Sequence, residues 1–249
     1  MFLEMNFRSA ELNRQTQVYV LMPNGNDAPC KTLWLLHGLS DNHTSWMRYT
    51  SIEQYAKKYN LAVIMPNVDR SWYTDTTYDA NYFSFITKEL PEVCFRTFRR
   101  MSRSREDNIV AGLSMGGYGA MKSALTFPEQ YGACISLSGS LDITRKGRPC
   151  NINEWKSIFG FDMESPLELE GSEHDLYTLA AKNKAEGKAF PKLYMWCGLD
   201  DVLLEINRNY DQHLTELGVA HRYEESEGDH SWKWWDLHIQ DGLKWVLEE

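Results

Sequence analysis

Apolar and polar positions along the 249 residues follow two alternating rhythms. Short apolar runs occur at QVYVLMP (17–23), KTLWLLHG (31–38), LAVIMPN (61–67), NIVAGLS (108–114), ACISLSG (133–139), KLYMWCG (192–198) and HRYEES (221–226). Their length and their aliphatic and aromatic content predict strands. Between them lie SIEQYAKKY (51–59), FITKELPEVCFRTF (85–98), GGYGAMKSALTF (116–127), VLLEINRNYDQHLTEL (202–217) and WWDLHIQDGLKWVLEE (234–249). Several of these repeat apolar residues at i, i+3, i+4 and i+7, the spacing of a helix with one buried face. Most central strand runs are apolar at both alternate positions, as in a sheet covered on each face. Strands and helices in turn, with a mostly parallel sheet and right-handed crossovers, predict an α/β fold.

No repeat, low-complexity segment or Pro/Ser-rich linker divides the chain, so one domain over 1–249 is expected. Two stretches break the rhythm. Residues 141–173, which include Trp155, Ile158 and Phe159, form a long interval of the kind that serves as a lid or cap insertion. VDRSWYTDTTYDANYFS (68–84) follows the third strand and is rich in aromatics.

Composition narrows the classes of partner. A hydrophobic share of 43% supports a substantial core, and a net charge of −9 opposes general binding to nucleic acid or to an anionic membrane. Cys30, Cys94, Cys134, Cys150 and Cys197 are odd in number and irregularly spaced, which signals neither a disulfide framework nor a zinc cluster. The N-terminal MFLEMNFRSAELNRQ lacks a continuous apolar segment, and no run is long enough to span a bilayer. A cytoplasmic setting is expected, unless a leader was removed ahead of this chain. Oligomeric state is not legible, and a homo-oligomer stays open.

The chemistry gathers around DNIVAGLSMGGYGA (107–120). Gly112-Leu113-Ser114-Met115-Gly116 fits G-x-S-x-G and lies between a predicted strand and a predicted helix. In that context the glycines let strand and helix approach closely, and Ser114 stands on the sharp turn as a nucleophile. The Met115 amide at the helix start would face a developing oxyanion. A serine needs a base, and the base needs an orienting carboxylate, in the chain order Ser, acid, His. His213 and His238 fall in helical patterns and His221 opens a strand, whereas His230 in EGDHSW (227–232) follows the last strand in a turn. His230 is therefore the expected base. The acid should follow KLYMWCG, where Gly198-Leu199-Asp200-Asp201 offers two carboxylates. A G-x-x-D acid loop selects Asp201, with Asp200 as the alternative. The second oxyanion donor should come from LLHGLSDN (35–42), with the Leu39 amide as the candidate and His37 as a shaper of that loop.

GLSMGGYGA, LLHGLSDNHTSW, MPNVDRSWYTD and GDHSWKWWD, taken together, resemble the putative-esterase (esterase D-like) family of α/β-hydrolases. The wording is closest to its tributyrin and feruloyl esterases. The resemblance covers nearly the whole chain and implies Ser114, Asp201 and His230 as triad, with Leu39 and Met115 as oxyanion donors. Trp232 matches the family's G-x-H-x-W pattern, and Asp41 stands where relatives often carry glycine.

Nine tryptophans and thirteen tyrosines then gain a use. Trp46, Trp72, Tyr73, Trp155, Phe159 and Trp232 are expected to wall a substrate pocket. Arg70 is read as a surface ion pair before a ligand contact, and FRRMSRSR (98–105) as a solvated helix end. No metal-binding pattern occurs, and neither metal nor cofactor is expected. The expected activity is a serine carboxylesterase acting on short-chain acyl or hydroxycinnamoyl (feruloyl) esters, as small molecules or on carbohydrates. An S-formylglutathione hydrolase-type thioesterase, an acyltransferase and a catalytically silent binding protein remain as alternatives.

Overall fold

The computed structural model describes residues 1–24, 28–77, 79–144, 151–160 and 162–248. The strands are β1 (Phe2–Ser9), β2 (Arg14–Leu21), β3 (Lys31–Leu36), β4 (Leu61–Pro66), β5 (Asn108–Leu113), β6 (Ala133–Leu137), β7 (Lys192–Gly198) and β8 (Arg222–Ser226). They form one eight-stranded sheet in the order β1-β2-β4-β3-β5-β6-β7-β8. β1 and β2 are antiparallel to their neighbours, and β4 through β8 run parallel. This is the α/β-hydrolase arrangement.

The helices are α1 (Ser45–Tyr49), α2 (Ile52–Tyr59), α3 (Tyr82–Ser84), α4 (Leu90–Thr97), α5 (Met115–Thr126), α6 (Ile152–Phe159), α7 (Leu176–Ala185), α8 (Leu204–Glu216) and α9 (Trp232–Glu248). A π turn, Phe85–Glu89, joins α3 to α4. The pleat sorts the sheet residues onto two faces. Trp34, Leu36, Val110, Cys134 and Met195 pack on one side with α5, α7 and α8. Leu33, Leu35, Ala111, Ile135 and Tyr194 pack on the other with α2 and α9.

Each strand run expected from the sequence is present, with ends moved by a few residues. β1 was not expected. Its alternation is shallow, because Leu3, Met5 and Phe7 are only half buried at the sheet edge. The interval 141–173 contains α6 and the short 3₁₀ turn Pro166–Leu169; its residues 145–150 and 161, with Cys150 among them, lie outside the described residues. The basic run corrects one expectation. α4 ends at Thr97, and the arginines beyond it tie segments together instead of closing a helix. Arg100 donates to the carbonyls of Ala28 and Pro23, Arg105 to those of Pro128 and Phe190, and Arg103 pairs with Glu92.

Parallel strands bring their C-terminal ends to one edge. Leu36 aligns with Gly112, Gly112 with Ser136, Leu137 with Trp196, and Gly198 with Ser226. The loops that follow β3, β5, β7 and β8 therefore meet above the sheet, where ligand sites of such folds form.

Candidate active site

Ser114 is the turn between β5 and α5 and holds φ 53°, ψ −117°. That conformation is costly for a residue with a side chain and persists because its surroundings fix it. Its amide donates to Leu137 O at 3.0 Å, and its carbonyl accepts from Tyr118 at 3.1 Å and Ser140 at 3.0 Å. The turn is closed so tightly that a Cβ on Gly112 would lie 2.3 Å from the carbonyl oxygen of Gly116. A Cβ on Gly116 would lie 2.5 Å from Leu36 O. The glycines flanking Ser114 are thus required by backbone contact.

Three side chains from three loops converge. Ser114 Oγ lies 3.0 Å from His230 Nε2, and His230 Nδ1 lies 3.0 and 2.9 Å from the two carboxylate oxygens of Asp201. The carboxylate fixes the tautomer: Nδ1–H donates to Asp201, which leaves the Nε2 lone pair for the serine hydroxyl. Asp201 is buried, while Asp200 is exposed. Burial alone would raise the Asp201 carboxyl. Hydrogen bonding and charge from His230, the Leu203 amide and the Ser138 hydroxyl outweigh it and hold the group below the usual range. The Leu203 amide donates to Oδ1 at 2.8 Å. Trp235 stands edge-on to the His230 ring at 4.9 Å and donates its indole N–H to Ser138 at 3.0 Å.

The two amides expected at an oxyanion site belong to residues next to the Ser114 turn and its cavities. Met115 begins α5, so its N–H has no carbonyl one helical turn earlier. Leu39 follows the β3 loop and borders the space above Ser114. His37 shapes that loop, as expected. Its Nε2 accepts from the Val68 amide at 3.1 Å and its Nδ1 faces Gly38 O at 2.8 Å, the pattern of a neutral ring. Burial lowers its pKa to about 4.

Two cavities flank the serine and share Leu39, Ser114 and His230. One, of about 270 Å³, is walled by Trp72, Trp155, Leu203 and Val202, with Arg70, Glu154 and Asn151 toward its rim. The other, of about 310 Å³, is bounded by Trp232, Trp235, Ser231 and Asp41. A larger hollow of about 570 Å³ between the chain start and α2 holds neither a hydroxyl nucleophile nor a histidine.

The aromatic expectations divide. Trp72, Trp155 and Trp232 line the cavities. Trp46, Tyr73 and Phe159 do not, and these three are corrected to packing roles. The Trp46 indole is buried against β3 and donates to Leu36 O at 3.0 Å. Tyr73 is wholly buried with its hydroxyl donating to His37 O at 2.8 Å. Phe159 lies behind the wall, with its ring 5.1 Å from Trp155 and 5.0 Å from His174. Arg70 is an ion pair, as expected: it grips both carboxylate oxygens of Glu154 and donates to Ser40 Oγ, linking the 68–84 loop to α6.

Sequence reasoning missed the support behind Trp72. Trp72 and Tyr73 both have positive φ, 53° and 49°. Lys122, fully buried on α5, donates to Tyr73 O at 3.1 Å and Thr74 Oγ1 at 3.2 Å, and faces His174 Nδ1 at 3.1 Å. Three acceptors thus meet the three N–H groups of an ammonium. Burial nevertheless lowers its pKa to about 7, against the pull of Glu173 and Asp75. A lysine inside an otherwise apolar helix face was the available signal.

Among the described residues, no group of three or more His, Cys, Asp or Glu could hold a metal ion, and no helix is long and apolar enough to cross a membrane.

Comparison with known proteins places the whole chain. The Putative esterase family model matches residues 9–246. An acetyl esterase from Caldicellulosiruptor saccharolyticus is 32% identical over 263 residues, covering 98% of this chain and 97% of that protein. The substrate-bound fluorophosphonate-binding serine hydrolase F of Staphylococcus aureus superposes with a TM-score of 0.92 at 35% identity, over 100% of this chain and 99% of its own. The S-formylglutathione hydrolase of the same organism superposes with a TM-score of 0.88 at 34% identity, over 99% and 98%.

Proposed function

The chain belongs to the Putative esterase family and is a carboxylic ester hydrolase of the serine type, and we propose that it cleaves short-chain acyl esters through Ser114, His230 and Asp201. The observation that carries this reading is the unbroken line of hydrogen bonds from Ser114 Oγ through the His230 ring to a buried carboxylate.

In the proposed reaction, Ser114 Oγ attacks the ester carbonyl carbon while His230 Nε2 takes the hydroxyl proton. The carbonyl π electrons move to oxygen, and the amides of Leu39 and Met115 receive the oxyanion. Asp201 stays ionised and stabilises the imidazolium. As the tetrahedral intermediate collapses, the C–O bond to the alcohol breaks and His230 Nε2–H protonates the leaving oxygen. Water then attacks the acyl-enzyme with His230 as base, and the second collapse returns the proton to Ser114 with release of the acid.

The cavities favour small or flat uncharged groups. Trp72 and Trp155 on one side, and Trp232 and Trp235 on the other, offer apolar faces close to Ser114. Such walls suit an acetyl, short aliphatic or hydroxycinnamoyl acid on one side and an alcohol or sugar on the other. From the interval 141–173, Asn151 and the α6 residues Glu154 and Trp155 border the first cavity, and α6 is read as its cap.

A panel of p-nitrophenyl acetate, butyrate and octanoate, methyl ferulate, acetylated xylan and S-formylglutathione tests the reading. Fastest turnover of acetate or butyrate, lost in Ser114→Ala, supports it. A large preference for S-formylglutathione, the substrate class named for one structural neighbour, would replace it with a thioesterase.

A further inference from the structure

A second Ser–His–Asp line lies outside the active site, and the mechanism above does not use it. Ser226 Oγ is 3.1 Å from His238 Nε2, and His238 Nδ1 is 2.8 Å from Asp241 Oδ2. Neither described cavity at Ser114 includes these residues, and Ser226 ends a regular strand instead of standing on a strained turn. Ser226 Oγ also accepts the Trp196 indole N–H at 3.0 Å, a donor that would not serve an attacking oxygen. The cluster has the bonds of a triad without the approach of a nucleophile.

Its place in the chain suggests another role. Ser226 is the last residue before the turn that carries His230, and His238 lies on α9, the helix that leaves that turn. The Ser226–His238 bond therefore joins the two ends of the segment holding His230. Trp196 fills the space beneath. Its ring stacks on His238 with centroids 3.9 Å apart, and a Cβ on Gly228 would lie 3.0 Å from its edge. Two backbone bonds tie the same turn to the Asp201 loop: Leu199 N–H to Ser226 O and Asp200 N–H to Gly228 O, each 2.9 Å.

We propose that Ser226, His238 and Asp241 form a clamp that positions His230 between Ser114 and Asp201. Asp241 accepts Nδ1–H and so fixes the tautomer in which Nε2 accepts the Ser226 hydroxyl proton, while the Ser226 oxygen takes the Trp196 N–H. The Ser226 hydroxyl also has the Glu227 carbonyl at 3.3 Å, a longer contact than the 3.1 Å to His238 Nε2. With the bond in place the turn has one length, and His230 Nε2 stays within reach of Ser114. Without it, the turn keeps its backbone bonds and the Trp196 packing but loses the side-chain tie between its two ends. A displacement of about 1 Å can cost on the order of 100-fold in such chemistry. The inference rests on the reading of His230 as the catalytic base.

The test compares Ser226→Ala, His238→Phe, the double variant and His238→Gln. Phe keeps a ring against Trp196 and removes both hydrogen bonds, whereas Gln restores a group able to bond Ser226. The expected result for Ser226→Ala and His238→Phe is a fall in kcat of about tenfold with KM within about twofold. The fraction of sites titrated by a fluorophosphonate at completion should be unchanged. The double variant should be no worse than the worse single one, and Gln should recover part of the loss. Wild-type kcat in a folded Ser226→Ala, or activity lost only in step with the titrated fraction, would overturn the clamp. Ser226→Ala decides alone if His238→Phe does not fold. Ser114→Ala and His230→Ala run alongside: turnover surviving in either one defeats the reading of the active site itself, whereas their inactivity beside an unaffected Ser226→Ala defeats only the clamp.

Discussion

Both carboxylate oxygens of Asp201 lie within 3.0 Å of His230 Nδ1, while the neighbouring carboxylate of Asp200 points to solvent. One residue of sequence therefore separates a group that can set the histidine tautomer from one that cannot.

Asp201→Asn should lower kcat by about 10³- to 10⁴-fold with the fold kept, because an amide can hold the ring in the wrong tautomer. Asp200→Asn should leave kcat within about twofold, since an exposed side chain contributes little. Steady-state kinetics on p-nitrophenyl acetate, with circular dichroism for folding, separates the two. Equal losses would remove Asp201 from its assigned role.

The two cavities should be separable by substrate series. Trp72→Ala and Trp155→Ala enlarge one side of Ser114, and Trp232→Ala the other. Lengthening the acyl chain at constant alcohol, then the alcohol at constant acyl group, should show the first pair shifting KM in one series and Trp232→Ala in the other. Overlapping effects in both series would mean that the cavities act as one.

Acid stability should weaken from about pH 6.5 downward. His37 has a folded pKa lowered to about 4 and His174 to about 3, both chiefly by burial. Below their unfolded value the unfolded chain takes up protons that the folded chain refuses, so stability falls as pH falls. Each contributes a slope of at most about 1.4 kcal/mol per pH unit between those limits. Urea unfolding at pH 4.5 to 7 should show a shallower slope for His174→Gln.

Lys122 acts with the same sign in a more alkaline window. Its folded pKa of about 7 lies below the unfolded value of 10.5. Between them the unfolded chain keeps a proton that the folded chain has released, so this group's contribution makes stability rise with pH. The difference in unfolding free energy between the native chain and Lys122→Met, measured from pH 7 to 9, should change by up to about 1.4 kcal/mol per unit. A flat difference would mean that Lys122 remains charged in the fold.

Much of this organisation is written in local pattern. The G-x-S-x-G turn is legible because its glycines answer to contacts with fixed neighbours, and His230 because it alone among downstream histidines follows a strand. β1 escaped notice although Leu3, Met5 and Phe7 alternate, because an edge strand buries each of them only partly. α6 was folded into an irregular interval despite Ile152, Trp155 and Phe159 at helical spacing and an Asn151 side chain that caps it. Which side of a loop an aromatic faces is set by tertiary packing. Trp72 and Tyr73 are adjacent, yet one borders the cavity and the other is bonded beneath it. His238 lies in a helical pattern, and nothing in its helix announces Ser226 twelve residues earlier as its partner.

In the proposed reaction, the two cavities that flank Ser114 would set the traffic of substrate and products. An ester lying across the serine has its halves in separate chambers once the bond is cut. The alcohol can depart by its own mouth while the acyl group stays anchored. The chamber it vacates borders His230, so the hydrolytic water can enter there, beside the base that must activate it. The acid would then leave by the opposite door, and neither product would block the other's exit.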